Sequence, residues 1–173
     1  ADRGKGDDAD GRRPEKRPLV LGDHLADHLE LVLAGLDPDL VDRSGQTALM
    51  KAAASGHDKA LASLLRLGSA PDLADRAGWT ALMHAAAHSS SGSVPAIRDL
   101  VRAGAAVNRR AGSNGKTALM IAAEKGNDLA TDELLRSGAQ PEHKSEGKTA
   151  LDFALAEGNK RCAERLGYVE KPR

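Results

Sequence analysis

The residues that could do chemistry in this chain are few. His24 and His28, and again His84 and His88, stand four residues apart, the spacing that puts two imidazoles on one helical face where a metal could bind. A metal centre needs a third and a fourth ligand. The chain has neither a His-Glu-x-x-His run nor a cysteine cluster, so no metal is expected and the histidines read as surface groups that titrate near neutral pH. Gly115-Lys116-Thr117 and Gly147-Lys148-Thr149 look like the ends of phosphate-cradling loops. Such a loop needs a glycine five positions before its second one, where Arg110 and Glu142 stand, and a buried strand ahead of it. Cys162, the single cysteine, stands at a position equivalent to Ala60, on the buried side of a helix, and reads as a small core thiol. No nucleophile stands with a base and the carboxylates are scattered, so neither catalytic residues nor a cofactor is expected, and the chain reads as a non-enzyme. Trp79 is the exception, as the single tryptophan in a chain that holds one Phe and one Tyr besides. Tryptophan often dominates interface energy, which makes it a candidate anchor, although packing on its neighbours explains it equally well.

The elements that position these residues must be built from an unusual composition. The 173 residues are 40% hydrophobic but only 2% aromatic, with 25 Lys+Arg against 25 Asp+Glu. A core made of alanine and leucine is therefore required. The balanced charge argues against binding nucleic acid by neutralising many phosphates, and no apolar run is long enough to span a bilayer. One cysteine excludes an internal disulfide and a cysteine-rich zinc fold. The first residues, Ala1-Asp2-Arg3-Gly4-Lys5, are polar and show no signal peptide, which places the protein inside a cell: in the cytoplasm, or in the nucleus if the basic run Arg12 to Arg17 is an address.

One phrase occurs four times: Gly45-Gln46-Thr47-Ala48-Leu49-Met50, Gly78-Trp79-Thr80-Ala81-Leu82-Met83, Gly115-Lys116-Thr117-Ala118-Leu119-Met120 and Gly147-Lys148-Thr149-Ala150-Leu151-Asp152. Its threonines are 33, 37 and 32 residues apart, and a second marker, Gly35, Gly68, Gly104 and Gly138, repeats at 33, 36 and 34. Two markers with one period describe stacked units of a turn and two short helices. Thr47 follows a glycine turn and precedes an alanine-rich run, so its hydroxyl can cap a helix start. That helix should end at Gly56. A second, Lys59 to Leu67, carries Leu61, Leu64 and Leu65 on one face and stops at Gly68. The same grammar recurs around Gly126, Gly138 and Gly158.

With these copies in register the chain resembles the ankyrin-repeat family. The match runs through Asp42-Arg43-Ser44-Gly45-Gln46-Thr47-Ala48-Leu49-Met50, Ala52-Ala53-Ala54-Ser55-Gly56-His57 and Leu64-Leu65, and covers roughly residues 23 to 168. Ala replaces the family's proline at 48, 81, 118 and 150, and Met or Asp its histidine at 50, 83, 120 and 152, so the Thr to His hydrogen bond of the family is lost. The resemblance implies an all-α solenoid of stacked helix-turn-helix units joined by β-hairpin-like loops. The expected division is a charged, disordered leader at 1–18, a repeat domain at 19–168 and a tail at 169–173. Within the domain a cap at 19–36 precedes repeats at about 37–69, 70–105, 106–139 and 140–168. The cap helix, Asp23 to Ala34, turns Leu25, Leu29, Val32 and Leu33 inward; Cys162, Ala163 and Leu166 do the same in the last helix, so the array reads as complete at both ends. Ser89 to Val94 lengthens the second repeat between its helices and Ala111 to Asn114 the next hairpin by one residue.

The resemblance further implies a scaffold or adaptor, monomeric on its own, that binds another protein or an extended peptide through its concave face. Trp79 shares the position between turn glycine and threonine with Gln46, Lys116 and Lys148, which faces that side. Lys51, His84, Ile121 and Phe153 take the next inward register, and His88 and Lys125 lie in the one after. With Arg43 and Arg76 these are the candidate contact residues. Counting hairpins and first helices, including Arg109, Arg110 and Lys144, this face is mildly basic, whereas Asp58, Asp99, Asp128, Asp132 and Glu133 make the outer helices acidic. The ligand is then expected to carry acidic groups near an apolar anchor. The alternatives are a regulatory module of an enzyme, an immunity or inhibitor protein, and a sensor in which an anionic small ligand stacks on Trp79.

Overall fold

A computed structural model of the chain describes residues 25–88, 93–112 and 114–169, with the side chains of residues 27–29 and 31 set aside. The leader at 1–18, His24 and His28 as a pair, and most of the serine loop lie outside the described residues. Among the described residues nine helices follow in order: α1 (Leu25–Leu33), α2 (Ala48–Ser55), α3 (Asp58–Arg66), α4 (Ala81–Ala87), α5 (Ser93–Arg102), α6 (Ala118–Lys125), α7 (Asp128–Arg136), α8 (Ala150–Ala156) and α9 (Lys160–Arg165). Each pair α2/α3, α4/α5, α6/α7 and α8/α9 is one unit. The first helices α2, α4, α6 and α8 pack on one another in a row and the second helices α3, α5, α7 and α9 in another, with α1 against α2. Among the described residues, the hairpins before the first helices hold isolated bridges, Val41 with Thr47 and Ser145 with Lys148.

Alanine makes this stacking possible. Ala52, Ala53, Ala85, Ala86, Ala122 and Ala123 are fully buried where first helices meet, and a larger side chain would push the rows apart. Met50, Met83 and Met120, at the place of the family's histidine, are buried as filling. Three of the four threonines cap as the sequence reading has it, whereas Thr80 stands at the start of α4 without a side-chain cap bond. Thr47 Oγ1 accepts from Met50 N at 3.3 Å, Thr117 Oγ1 from Met120 N at 3.4 Å and Thr149 Oγ1 from Asp152 N at 3.3 Å. Asp152 returns a bond to the Thr149 amide at 2.8 Å and so completes a capping box. Gly56 and Gly126 close α2 and α6 in the left-handed region, at φ 68° and 71°.

Four details depart from the expectation. Ser93 and Val94 are not loop: they open α5, and Ser93 is fully buried, its hydroxyl 3.3 Å from Asn127 Nδ2. α4 ends at His88 with extended backbone, because that repeat lacks the glycine that closes α2 and α6. In α1 Val32 is turned into the core and Leu25 packs against it, whereas Leu33, expected inward, is 76% exposed. The hairpins also differ in length at both ends of the second half. The closing bond spans four residues in Asp42 N to Gln46 O and Asp75 N to Trp79 O, five in Ala111 N to Lys116 O and three in Ser145 N to Lys148 O. The extra residue was expected from the sequence and the missing one was not.

Candidate functional site: the hairpin face around Trp79

Trp79 sits at the end of the second hairpin, half-buried and packed against the core. Its backbone N–H donates to Asp75 Oδ1 at 2.9 Å, as does that of Ala77 at 2.9 Å. The other oxygen of Asp75 takes a bond from His84 Nε2 at 3.0 Å, so that nitrogen carries the proton. Gln46 of the preceding hairpin reaches the same oxygen at 3.4 Å. The His84 ring lies 5.3 Å from the Trp79 ring, tilted by 55°. Burial pushes the Asp75 carboxyl upward, but the bonds from Trp79, His84 and Gln46 outweigh it and hold the group below the usual 3.8. Trp79 is thus fixed from its backbone by a carboxylate and from its ring by an imidazole. A large aromatic surface held in one orientation loses little entropy on binding.

The first hairpin repeats this arrangement with a lysine. Lys51 Nζ meets Asp42 Oδ2 at 2.6 Å, and Asp42 also accepts from Ser44 N, Ser44 Oγ and Gln46 N at 2.7–2.9 Å. Desolvation raises the Asp42 carboxyl, and Lys51 with these bonds overrides it, leaving the group ionised well below the ordinary range. Neither residue of the pair is open to a partner: the side chains are 11% and 2% exposed. In the third and fourth repeats Ala111 and Ser145 stand where Asp42 and Asp75 do, and Ile121 and Phe153 where Lys51 and His84 do. Ile121 is buried. Phe153 is covered by Lys116 Nζ at 4.6 Å and Lys148 Nζ at 5.9 Å from its ring centroid, and Lys116 is paired with Glu124 at 2.7 Å.

The structure therefore divides the twelve candidate residues. Lys51, Ile121 and Phe153 are withdrawn into the fold, and His84, a surface histidine in the sequence reading, is a positioning group for Trp79. Gln46 and Lys116 are half-buried and hydrogen-bonded. His88 is half-buried at the C-cap of α4, one residue beyond the helix, and its carbonyl accepts from Asn127 Nδ2 at 2.7 Å. No group of three or more His, Cys, Asp or Glu suited to a metal occurs among the described residues. Arg43, Arg76, Lys125 and Lys148 remain exposed, as do Arg109 and Lys144, and none of the six has an ion pair among the described residues. Arg110 belongs to the scaffold, donating to Gly115 O at 3.2 Å and Lys144 O at 2.6 Å. Cys162 is buried, and burial pushes its thiol up.

Sequence reasoning missed Asp42 and Asp75, which set the turn and orient the anchor. The signal was present: the residue that opens each hairpin and the residue four after each threonine change together, from Asp with Lys or His to Ala with Ile and Ser with Phe. The acidic outer face is also corrected. α3, α5, α7 and α9 carry Lys59, Arg66, Arg98, Arg102, Arg136, Lys160, Arg161 and Arg165 beside the acids named above and Glu164. Several of these acids are already paired, Glu133 with Arg98 at 2.8 Å and Asp132 with Arg136 at 3.0 Å. The Arg98 guanidinium, against some desolvation, holds Glu133 below the usual carboxylate range.

Known proteins agree with this architecture. Residues 21–111 and 87–171 match the family described as ankyrin repeats (3 copies). The mouse nuclear factor NF-kappa-B p105 subunit is 36% identical over 134 residues, 76% of this chain, and the chicken p105 subunit 32% identical over 139 residues, 79% of it. The chain spans 14% of the length of each of these relatives. No helix among the described residues is long and apolar enough to cross a membrane. With its units in register from cap to last helix and the family match running nearly end to end, the chain belongs to the ankyrin-repeat family, whose repeats are protein-interaction modules.

Proposed function

We propose that the protein is a non-catalytic adaptor that holds an acidic segment of another protein along its hairpin side, the concave face of the family, with Trp79 as the apolar anchor. The observation that carries this reading is the contrast within the face itself. The basic side chains nearest the helices are engaged internally, Lys51 with Asp42, His84 with Asp75 and Lys116 with Glu124. Those at the hairpins, Arg43, Arg76, Arg109, Lys144 and Lys148, are exposed and have no ion pair among the described residues. Residues 103–123 contain three of the basic residues and no acid, so the third hairpin is the most positive segment of the row. Exposed cations beside a fixed aromatic surface suit a carboxylate-bearing peptide with an apolar side chain, and complementary charge speeds its arrival. The relatives' description as subunits supports an assembly role for such a face.

Affinity purification from the native lysate, with Trp79→Ala plus Arg43→Glu as the paired variant, tests the reading. Loss of the main anchor should weaken capture by about 2 kcal/mol or more, roughly thirtyfold. A partner retained in full by the double variant, with its melting temperature unchanged, would remove the hairpin face from the function.

A further inference from the structure

The outer row of helices carries an ion-pair ladder with one rung missing. In each second helix the same two consecutive positions look across the seam: Ala62 and Ser63 in α3, Arg98 and Asp99 in α5, Asp132 and Glu133 in α7, Glu164 and Arg165 in α9. The first position of one helix pairs with the second position of the next. Arg98 grips Glu133 with two bonds, at 2.8 and 2.9 Å, and Asp132 meets Arg165 at 3.2 Å. At the α3/α5 seam the first position is Ala62, which reaches nothing. Asp99 is left with a long contact of 3.7 Å to Arg102 of its own helix.

The missing side chain opens a groove of about 330 Å³ at that seam, lined by Ala62, Leu65, Arg66, Asp99, Arg102 and Ala103. Its floor is apolar. Its rim holds two guanidiniums and one carboxylate. Arg66 donates to the Ser63 hydroxyl at 3.1 Å and has no ion pair among the described residues, and the Arg102 side chain is 79% exposed whereas that of Asp99 is 34% exposed. A group arriving from solvent therefore meets net positive charge above aliphatic surface. Arginine offers paired donors that match a carboxylate.

We infer that this groove is a second docking site, which takes a segment of a partner protein bearing an acidic side chain next to a leucine-like one. The carboxylate lies against Arg66 and Arg102 and the apolar side chain covers Ala62, Leu65 and Ala103. Because the groove is on the second-helix row and Trp79 is on the hairpin side, both faces can be filled at once, and one small domain can bridge two proteins. The inference does not depend on the hairpin-face reading.

Isotope-resolved NMR titration with the peptide acetyl-Glu-Leu-Leu-Glu-amide tests it, with the Gln and Lys versions of the same peptide as controls. The acidic peptide should shift the amides of Ala62, Leu65 and Ala103, with the neutral version weaker by at least about tenfold. Ala62→Arg should restore the rung to Asp99 and fill the groove. These shifts should then vanish while the melting temperature stays level or rises and any response of the Trp79 indole persists. Arg66→Ser with Arg102→Ser should abolish the same shifts without filling anything. Shifts that survive Ala62→Arg, tighter binding of the Lys peptide, shifts confined to the surroundings of Trp79, or no response at millimolar peptide would each overturn the inference.

Discussion

The first two repeats and the last two place opposite chemistry at one locus. In the former, a carboxylate at the head of the hairpin meets a basic side chain on the first helix, Asp42 with Lys51 and Asp75 with His84. In the latter, Ala111 and Ser145 replace the carboxylate and Ile121 and Phe153 the basic side chain. Hairpin length follows this division. A carboxylate that accepts from the amides two and four residues ahead, as Asp42 does from Ser44 and Gln46 and Asp75 from Ala77 and Trp79, fits only the four-residue turn. Where it is absent the turn is one residue longer or one shorter. An ion pair here is a length gauge for the hairpin as much as a source of stability, because burying both charges offsets most of their attraction.

Breaking the pair from one side should have the largest effect. Asp42→Ala takes the carboxylate away from the Lys51 ammonium and from the Ser44 and Gln46 amides, at a cost of about 3–5 kcal/mol in urea unfolding. Adding Lys51→Ile copies the third repeat into the first. The double variant should recover to within about 1–2 kcal/mol of the native protein, the remainder being the unpaired turn amides. If the double variant is as unstable as the single one, the two solutions are not interchangeable and the comparison fails.

The hairpins themselves offer the next contrast. A Cβ at Gly78 would stand 2.3 Å from Gly112 N, backbone against backbone, whereas one at Gly147 meets nothing within 4 Å; both glycines have φ near +80°. Gly147→Ala should cost only the left-handed backbone, about 1–2 kcal/mol. Gly78→Ala adds the separation of the second and third hairpins, about 1–3 kcal/mol more. Thermal melts of the two variants measure the difference, and equal losses would mean that the second and third hairpins are not held in contact.

Acid should open the halves in order. The Asp42 and Asp75 carboxyls titrate below 3.8 in the fold, so their stabilisation is complete above that value and is lost as pH falls from about 4 toward the folded values. Ala111 leaves the third repeat without a counterpart. Glu133 is also lowered, by Arg98, but it lies on the outer row, and the lowered Asp152 is fully exposed at its capping box. Hydrogen exchange between pH 5 and pH 3 should therefore accelerate in α2 and α4 before α6. Uniform acceleration along the row would count against the carboxylates as the cause.

Much of this was legible in the sequence because repetition turns one chain into four aligned copies. The threonine caps at 47, 117 and 149, the glycine stops at 56 and 126, and the position of Trp79 follow from the period alone, whereas Thr80 makes no cap bond. The failures arose where a side chain's fate depends on a residue outside its own helix. Ile121 and Lys51 share a register with His84, yet one is core and the other is sealed by Asp42, nine residues back in the sequence. The arginines of the outer row were overlooked because charge was summed by residue and not by seam.

The smallest effect sharpens the comparison most, because it asks whether lysines at the two ends of the row are alike. Lys51→Met leaves Asp42 buried with its cation gone, a loss of the same order as Asp42→Ala. Lys116→Met leaves Glu124, whose side chain is 28% exposed and can turn to water, and removes a cation from the Phe153 face, together about 1 kcal/mol or less. Lys148, exposed and at the outer limit of contact with the same ring, should matter less still, about 0.5 kcal/mol at most for Lys148→Ala. Urea midpoints of the three variants rank them. An ion pair that gauges a turn has to be buried to act, whereas Lys148 stays exposed at the edge of the Phe153 ring and gauges nothing.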